Sequence, residues 1–300
     1  MSNYHIPVLL EESVSALALK EGGKYADVTF GGGGHSRLIL ERLRSNSTLL
    51  AMDRDSDALN NAPKDDRLIL VHNNFRFLAN YVEYYKLGGL DGILADLGVS
   101  SHQFDTQERG FSFRFDSMLD MRMNQLAQHT ASDILNSYSI DELCRVFKTY
   151  GEVENSKRVA SLICKEREFN SIKTTFDLNK TLEPILPKFG DHKYLAKVYQ
   201  ALRIEVNGEM RDLENFLTSS LSILNKGARV VIITYHSLED RIVKNFFKSG
   251  NIEGKINKDI YGNSDTPFEL VNKKPILPSE NEISVNTRSR SAKLRVAQKK

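Results

Sequence analysis

The 300-residue sequence predicts an α/β protein, a doubly wound parallel sheet carrying an inserted helical subdomain. Three observations lead there. Short runs rich in β-formers alternate with helical stripes through the first third of the chain. A glycine turn, Gly31-Gly32-Gly33-Gly34, joins the first such run to the first stripe. After residue 97 no strand pattern returns until residue 228, and a structureless loop of roughly 130 residues does not belong in a compact domain.

Taken in order, strands are expected at residues 24–30, 48–53, 67–72 and 90–97, with helices at 35–43, 56–61 and 75–85. Leu38, Ile39, Leu40 and Leu43 give the first helix its apolar stripe. The middle segment reads as helices. Ser139 and Glu142 form a capping-box pair ahead of Ile140, Leu143, Val146 and Phe147, and Gly151 is a natural stop. Val159, Leu162 and Ile163 form a second stripe, and Phe176, Leu178, Leu182 and Ile185 a third. A helix at 209–224 leads back to the sheet, whose fifth strand, 228–235, follows the turn Asn225-Lys226-Gly227. A helix at 238–248 comes next, and residues 268–277 and 292–298 are expected as a closing strand pair. The expected organisation is residues 1–105 and 207–300 as one discontinuous domain, with 106–206 inserted.

Composition bounds the rest. Hydrophobic residues make up 40% of the chain and charged residues 27%, enough for a full core. The net charge of +2 gives no global case for nucleic acid, so any such role must rest on local patches. Cys144 and Cys164 sit in helical patterns and support neither a disulfide framework nor a metal site. The N-terminus lacks the charged and apolar regions of a signal peptide, and no apolar run approaches membrane-spanning length. The expectation is a soluble, cytoplasmic protein.

The glycine turn narrows the ligand. A dinucleotide fingerprint needs a third glycine where this chain has Ser36, and no Gly-Lys-Ser/Thr of a phosphate loop follows. Asp53, closing the second strand, can accept hydrogen bonds from both hydroxyls of a ribose. The site therefore suits a ribose-bearing cofactor without a pyrophosphate, a description that S-adenosylmethionine meets. In open α/β sheets ligands bind beyond the carboxyl ends of the strands. Phe75 stands there, either against an adenine or in the core. Asp96 stands there as an acid at the tip of an apolar strand, either holding an amine or capping a helix. Gln103 follows, and then Arg109-Gly110-Phe111-Ser112-Phe113, a loop able to stack on a base or to anchor hydrophobically. Tyr235-His236-Ser237-Leu238-Glu239-Asp240-Arg241 ends the fifth strand and offers an imidazole, a hydroxyl and an acid-base pair at one rim, with Ser237 and Asp240 spaced as a capping box. Arg288, Arg290, Lys293, Arg295, Lys299 and Lys300 form an acid-free basic segment suited to phosphates.

On these blocks the chain resembles the RsmH/MraW family of 16S rRNA (cytosine-N4)-methyltransferases. The resemblance spans nearly the whole length and rests on His5-x-Pro7-Val8-Leu9-Leu10-x-Glu12, Gly31-x-Gly33-Gly34-His35-Ser36, Asp53-x-Asp55 and Asp96-Leu97-Gly98-Val99-Ser100-Ser101. It continues through Arg109-Gly110-Phe111-Ser112-Phe113, Asp120-Met121-Arg122-Met123, Gln200-Ala201-Leu202-Arg203-Ile204 with Val206-Asn207, the His236 block and Arg288-x-Arg290-Ser291-x-x-Leu294-Arg295. Thr234-Tyr235 stands where Ser-Phe is more usual, and the Pro-Pro-aromatic motif common after the fourth strand of amino-methyltransferases is absent.

The resemblance implies a class I S-adenosylmethionine-dependent methyltransferase (Rossmann-like) sheet and methyl transfer to the exocyclic N4 amine of a decoding-centre cytosine. The implied partner is 16S rRNA or the small ribosomal subunit, with no membrane, no metal, and a monomer or homodimer. Cofactor contacts carried onto matching positions fall on Gly33, Gly34, His35, Asp53, Phe75, Asp96 and Gln103. Asp96 or His236 would accept a proton of the amine. Phe111 and Phe113 are candidates to stack the base, and Arg109, Arg288, Arg290 and Arg295 to contact RNA. Methylation of DNA cytosine and a non-catalytic ribosome-assembly role remain as alternatives.

Overall fold

The computed structural model describes residues 7–256 and 266–300, so His5 of the first family block lies outside the described residues. The chain divides into two compact units: Met1–Gly98 with Met210–Lys300, and Val99–Glu209.

The first unit is built on a sheet. Among the described residues its strands are β1 (Lys24–Asp27), β2 (Thr48–Asp53), β3 (Leu68–His72), β4 (Leu90–Asp96), β5 (Leu224–Thr234), β6 (Phe268–Leu270) and β7 (Lys293–Lys299), in the order β3-β2-β1-β4-β5-β7-β6. Strands β1 to β5 run parallel, and β7 enters antiparallel between β5 and β6. This is the class I methyltransferase sheet. Strand order reverses between β1 and β4, which makes the carboxyl ends of those two strands the switch point where such sheets bind ligands.

Alternation along the strands sends side chains to two cores. Ala26, Leu50, Ile93, Val230 and Ile232 face one side with Phe216, Phe246 and Phe247. Tyr25, Leu49, Leu94, Val231 and Ile233 face the other with Leu9, Leu17 and Ile39. Both faces are covered, so the strands read as continuous apolar runs rather than alternating ones.

Several boundaries differ from the sequence expectation. β5 begins at Leu224, and the expected turn Asn225-Lys226-Gly227 is an irregularity inside it: Leu90 pairs with Leu224, but Gly92 pairs with Arg229. The closing strand 268–277 is cut short at Leu270. Asn272 takes over the ladder with its side chain, accepting from the Val296 N–H at 2.7 Å and donating to the Leu294 carbonyl at 3.0 Å. Pairing returns only as an isolated bridge between Ile276 and Leu294. The helix Leu10–Ala16 was not expected; it is short, and its apolar positions merge with the residues before it.

The second unit is helical. Its helices include Ala131–Ser137, Ile140–Gly151, Ser156–Arg167, Thr175–Leu182 and Asp191–Asn207. The Ser139–Glu142 capping box forms, and Leu143, Val146 and Phe147 are buried along one stripe, as a 3.6-residue period requires. Gly151 does not stop that helix. A Cβ there would sit 2.7 Å from the Lys197 carbonyl, so Gly151 permits close packing and Glu152, at φ 49°, makes the turn instead. Truncating the fully buried Phe147 would cost about 3–5 kcal/mol. No helix among the described residues is long and apolar enough to cross a membrane.

Candidate active site

Two acids meet at the switch point. Asp27 ends β1 and Asp96 ends β4, on neighbouring strands. Asp27 is fully buried; its Oδ2 accepts from the Ser36 hydroxyl at 2.6 Å and its Oδ1 from the Thr29 N–H at 3.2 Å. Burial pushes its carboxyl up to about 6, against those two hydrogen bonds. Asp96 is tied in by its backbone, whose N–H donates to the Thr29 hydroxyl at 2.6 Å. Its Oδ1 accepts from the Tyr235 hydroxyl at 2.7 Å, and its Oδ2 faces His35 Nδ1 at 3.9 Å, beyond hydrogen-bond length. Burial pushes Asp96 up to about 7, the Tyr235 hydrogen bond opposes that, and the charges of Asp27 and Glu239 add to it. Asp96 is not a helix cap; Ser100 caps the following helix, Ser101–Asp105.

The glycine turn lies beside them. Asp53, at the end of β2, accepts from the Gly31 N–H at 2.7 Å and from the Asp55 N–H at 2.9 Å, and so pins the turn to the sheet. Each carboxylate oxygen keeps further acceptor capacity. Burial raises Asp53 above the usual carboxylate range. A Cβ on Gly31 would meet only the Thr29 carbonyl at 3.9 Å, so the backbone there is open to a ligand. Gly33 and Gly34 are glycines for another reason. A Cβ on Gly33 would strike the Phe30 ring at 2.7 Å, and one on Gly34 would strike Pro7 at 2.1 Å. The N-terminal segment is strapped across this point: the Val8 carbonyl lies 3.2 Å from His35 Nε2, and the Leu9 N–H donates to Glu282 at 2.7 Å. His35 is buried under that strap.

The turn after β5 completes the rim. His236, rather than Ser237, is the N-cap of the helix Ser237–Ser249, and Glu239 rather than Asp240 takes the capping-box position. Glu239 Oε2 accepts from the N–H groups of Tyr235 at 2.8 Å and His236 at 3.4 Å. His236 Nδ1 accepts from the Glu239 N–H at 3.4 Å. Its Nε2 is buried 3.1 Å from Glu239 Oε1, without hydrogen-bond geometry. The imidazole is turned into its own helix. Asp240 instead pairs with Arg295, at 2.6 and 3.1 Å, and with Lys293.

Of the residues expected at the site, the sheet unit gathers Gly33, Gly34, His35, Asp53 and Asp96 around the switch point, with His236 at the adjoining turn. Phe75 follows β3, but its ring is mostly buried, edge-on to Phe216 at 5.5 Å, with the Arg54 guanidinium 5.5 Å above it. Gln103 belongs to the helical unit, where its side chain accepts from the Ser100 N–H in a capping box. Arg109, Phe111 and Phe113 are also in that unit. Arg109 is buried and donates to the carbonyls of Arg122 and Met123. Phe111 is 5% exposed within the helical core, which removes its ring as a platform for a base. Phe113 is half-buried between His192 and Tyr199. Arg288 and Arg290 are exposed beside β7, while Arg295 is held by Asp240.

Of the rim residues, Asp27 is absent from the expected site, and Tyr235 and Glu239 are expected only as members of the motif that ends the fifth strand. Asp27 carried a signal, as an acid among the β-formers of the expected strand 24–30. The roles of Tyr235 and Glu239 carried none, because they depend on a turn geometry that one residue of shift in the cap would change.

A family model described as the MraW methylase family matches residues 2–300. The ribosomal RNA small subunit methyltransferase H of Parabacteroides distasonis is 54% identical over 299 residues, covering 99% of this chain and 98% of its own. That of Flavobacterium johnsoniae is 51% identical over 296 residues, covering 99% of this chain and 98% of its own. Among solved structures, an rRNA methylase from Streptococcus thermophilus aligns over 98% of both chains at 11% identity with a TM-score of 0.41, a likeness too loose to bear on function. With a whole-length family match and half its residues shared with full-length relatives, the chain belongs to the MraW methylase family.

Proposed function

We propose that this protein transfers a methyl group from S-adenosylmethionine to the exocyclic N4 amine of a decoding-centre cytosine in 16S rRNA. The observation that carries the reading is Asp96: a half-buried acid at the switch point, with one oxygen held by Tyr235 and the other 3.9 Å from His35 Nδ1. Family membership supplies the reaction class, and the rRNA methyltransferase names of the relatives point to the substrate.

The residues present fit the cofactor. The open backbone at Gly31 admits a close ligand, and Asp53 has acceptor capacity left for two ribose hydroxyls. The edge of Phe75, with Arg54 above it, borders the adenine side. S-adenosylmethionine, when bound, supplies a methyl group already activated by its sulfonium. The protein's task is then to align the acceptor, since positioning alone accounts for a large share of such barriers. Asp96 Oδ2 accepts one N–H of the cytosine amine and so orients the nitrogen lone pair. His236 is less suited to that task, because Nδ1 is occupied by its own helix and Nε2 is buried against Glu239. The target base must leave its stack or lie in a single-stranded segment. Arg288 and Arg290 offer exposed cations for the flanking phosphates, and the helical unit adds RNA contacts. Phe111 takes no part in stacking. The protein acts in the cytoplasm, where the small subunit is assembled.

The test is to incubate the protein with methyl-labelled cofactor and, separately, small ribosomal subunits, naked 16S rRNA and DNA. Label at N4 of one cytosine in either ribosomal substrate is the expected result. Label in DNA alone, or none anywhere, would sink the reading.

A further inference from the structure

We propose that Tyr235 is the positioning residue of the methyl-transfer site: its hydroxyl holds Asp96 by one oxygen, favours the ionised carboxylate that accepts from the substrate amine, and sets the acid limit of activity. The inference rests on the assignment of Asp96 to the reaction.

The geometry is specific. The Tyr235 hydroxyl and Asp96 Oδ1 are 2.7 Å apart, and the tyrosine is fixed in turn at its backbone, where its N–H donates to Glu239. The ring lies against Gly98, at 3.4 Å from where a Cβ would stand. With Oδ1 engaged by the phenol, Oδ2, 3.9 Å from His35 Nδ1, keeps the larger share of the acceptor capacity left for a ligand.

The hydroxyl also has an electrostatic role. The charged and titratable groups facing Asp96 are Asp27 from β1, His35 from the helix Gly34–Arg42, and Glu239 from the helix Ser237–Ser249. Burial, Asp27 and Glu239 all disfavour the ionised carboxylate, while the phenol is the group that favours it. The phenol does not switch off near neutrality. Burial, Asp96, Glu239 and Glu282 hold it well above its ordinary range, so it stays a donor. Only ionised Asp96 offers acceptors at both oxygens at once. Tyr235 therefore keeps Asp96 in its working form at a pH where its surroundings would protonate it.

The experiment compares the wild type with Tyr235→Phe, which keeps the ring and its packing on Gly98. One readout is the carboxyl carbon-13 titration of Asp96, assigned by its absence in Asp96→Asn. The other is kcat/KM for methyl transfer to small subunits across pH 6 to 9. In Tyr235→Phe the Asp96 titration should rise by about one pH unit, since one donor to the charged form is lost. The acid limb should rise with it, giving about a tenfold loss on that limb and near wild-type activity at the alkaline end. An unmoved carboxyl titration, or an equal loss at every pH, overturns the proposal. If the titration shifts but the wild type methylates nothing, the functional reading fails while Tyr235's hold on Asp96 stands.

Discussion

The acids at the strand ends of the sheet unit and those of the helical unit are held in opposite ways. At the strand ends of the sheet unit, burial raises Asp27, Asp53 and Asp96 above the ordinary carboxylate range. In the helical unit Asp120, Asp133, Glu142 and Asp177 are all lowered. For Asp133 and Glu142 the cause is the capping box, with hydrogen bonds from Thr130 and Ser139. For Asp120 and Asp177 burial pushes upward, but Arg122 in the first case and the N–H groups of Thr174 and Lys173 in the second outweigh it. Acids in the helical unit are satisfied by the fold that contains them. Acids at the strand ends are held against their preference, which agrees with the proposed ligand-facing role.

The largest effect that tests this contrast is on turnover. Asp96→Ala should lower methyl transfer by about a hundredfold or more, within the range of a group acting on a proton in the transition state. Asp177→Ala, at an aspartate of the helical unit, should stay within about twofold once folding is matched. Initial rates with labelled cofactor and small subunits give both numbers. Near-full turnover in Asp96→Ala would remove the carboxylate from the chemistry and reduce the contrast to one of burial.

The next effect is on stability, and its sign depends on pH. Asp96 has an ordinary value of 3.8 and is pushed up to about 7 in the fold. A carboxyl that binds its proton more tightly when folded favours the folded state below pH 4, and that advantage is lost as pH rises through 7. Asp96→Asn removes the buried charge while keeping an acceptor for Tyr235. At pH 8 the variant should melt roughly 5 °C above the wild type, with the difference vanishing by pH 4. Melting curves at those two pH values decide it; a variant less stable at pH 8 would mean that the ionised carboxylate is well satisfied after all.

Much of this arrangement was legible in the sequence, and particular residues show where legibility ended. Apolar runs closing on Asp53 and Asp96, together with the glycine turn, located the switch point without any tertiary information. The capping box at Ser139 and Glu142 was read from spacing alone and is present. What failed depended on contacts distant in sequence. Gly34 reads as a ligand-facing glycine until Pro7 is seen against it. Phe111 reads as an exposed loop aromatic until Leu119, Leu135 and Phe147 are seen around it in one core. His236 and Ser237 are both able to cap a helix, and a single residue of difference decides whether the imidazole faces the rim or its own helix. The sheet end was legible because local pattern fixes strand ends. The loop contacts were not, because nothing local says which neighbour a side chain will meet.

The smallest effect should run the other way in pH. Asp177 lies in the first turn of the helix Thr175–Leu182, where its Oδ2 accepts from the Thr174 and Lys173 N–H groups at 2.8 and 3.0 Å, while the Thr174 hydroxyl accepts from the Asp177 N–H at 3.2 Å. Because its folded value is lowered, its contribution is present above the ordinary carboxylate value and is lost as pH falls through the lowered one. Asp177→Ala should therefore cost about 0.5–1 kcal/mol at pH 7, as loss of one exposed capping partner does, or a few degrees in Tm. The cost should shrink in acid, where the wild-type carboxyl is itself protonated. Asp96→Asn gains stability at pH 8 and Asp177→Ala loses it there, so paired melts at pH 8 give shifts of opposite sign; the Asp177→Ala cost still stands at pH 4, above the lowered value, and fades only in stronger acid. If both variants moved the same way, the raised acids of the strand ends would be no different in kind from the caps of the helical unit. The case for a ligand-directed acid at Asp96 would then rest on turnover alone.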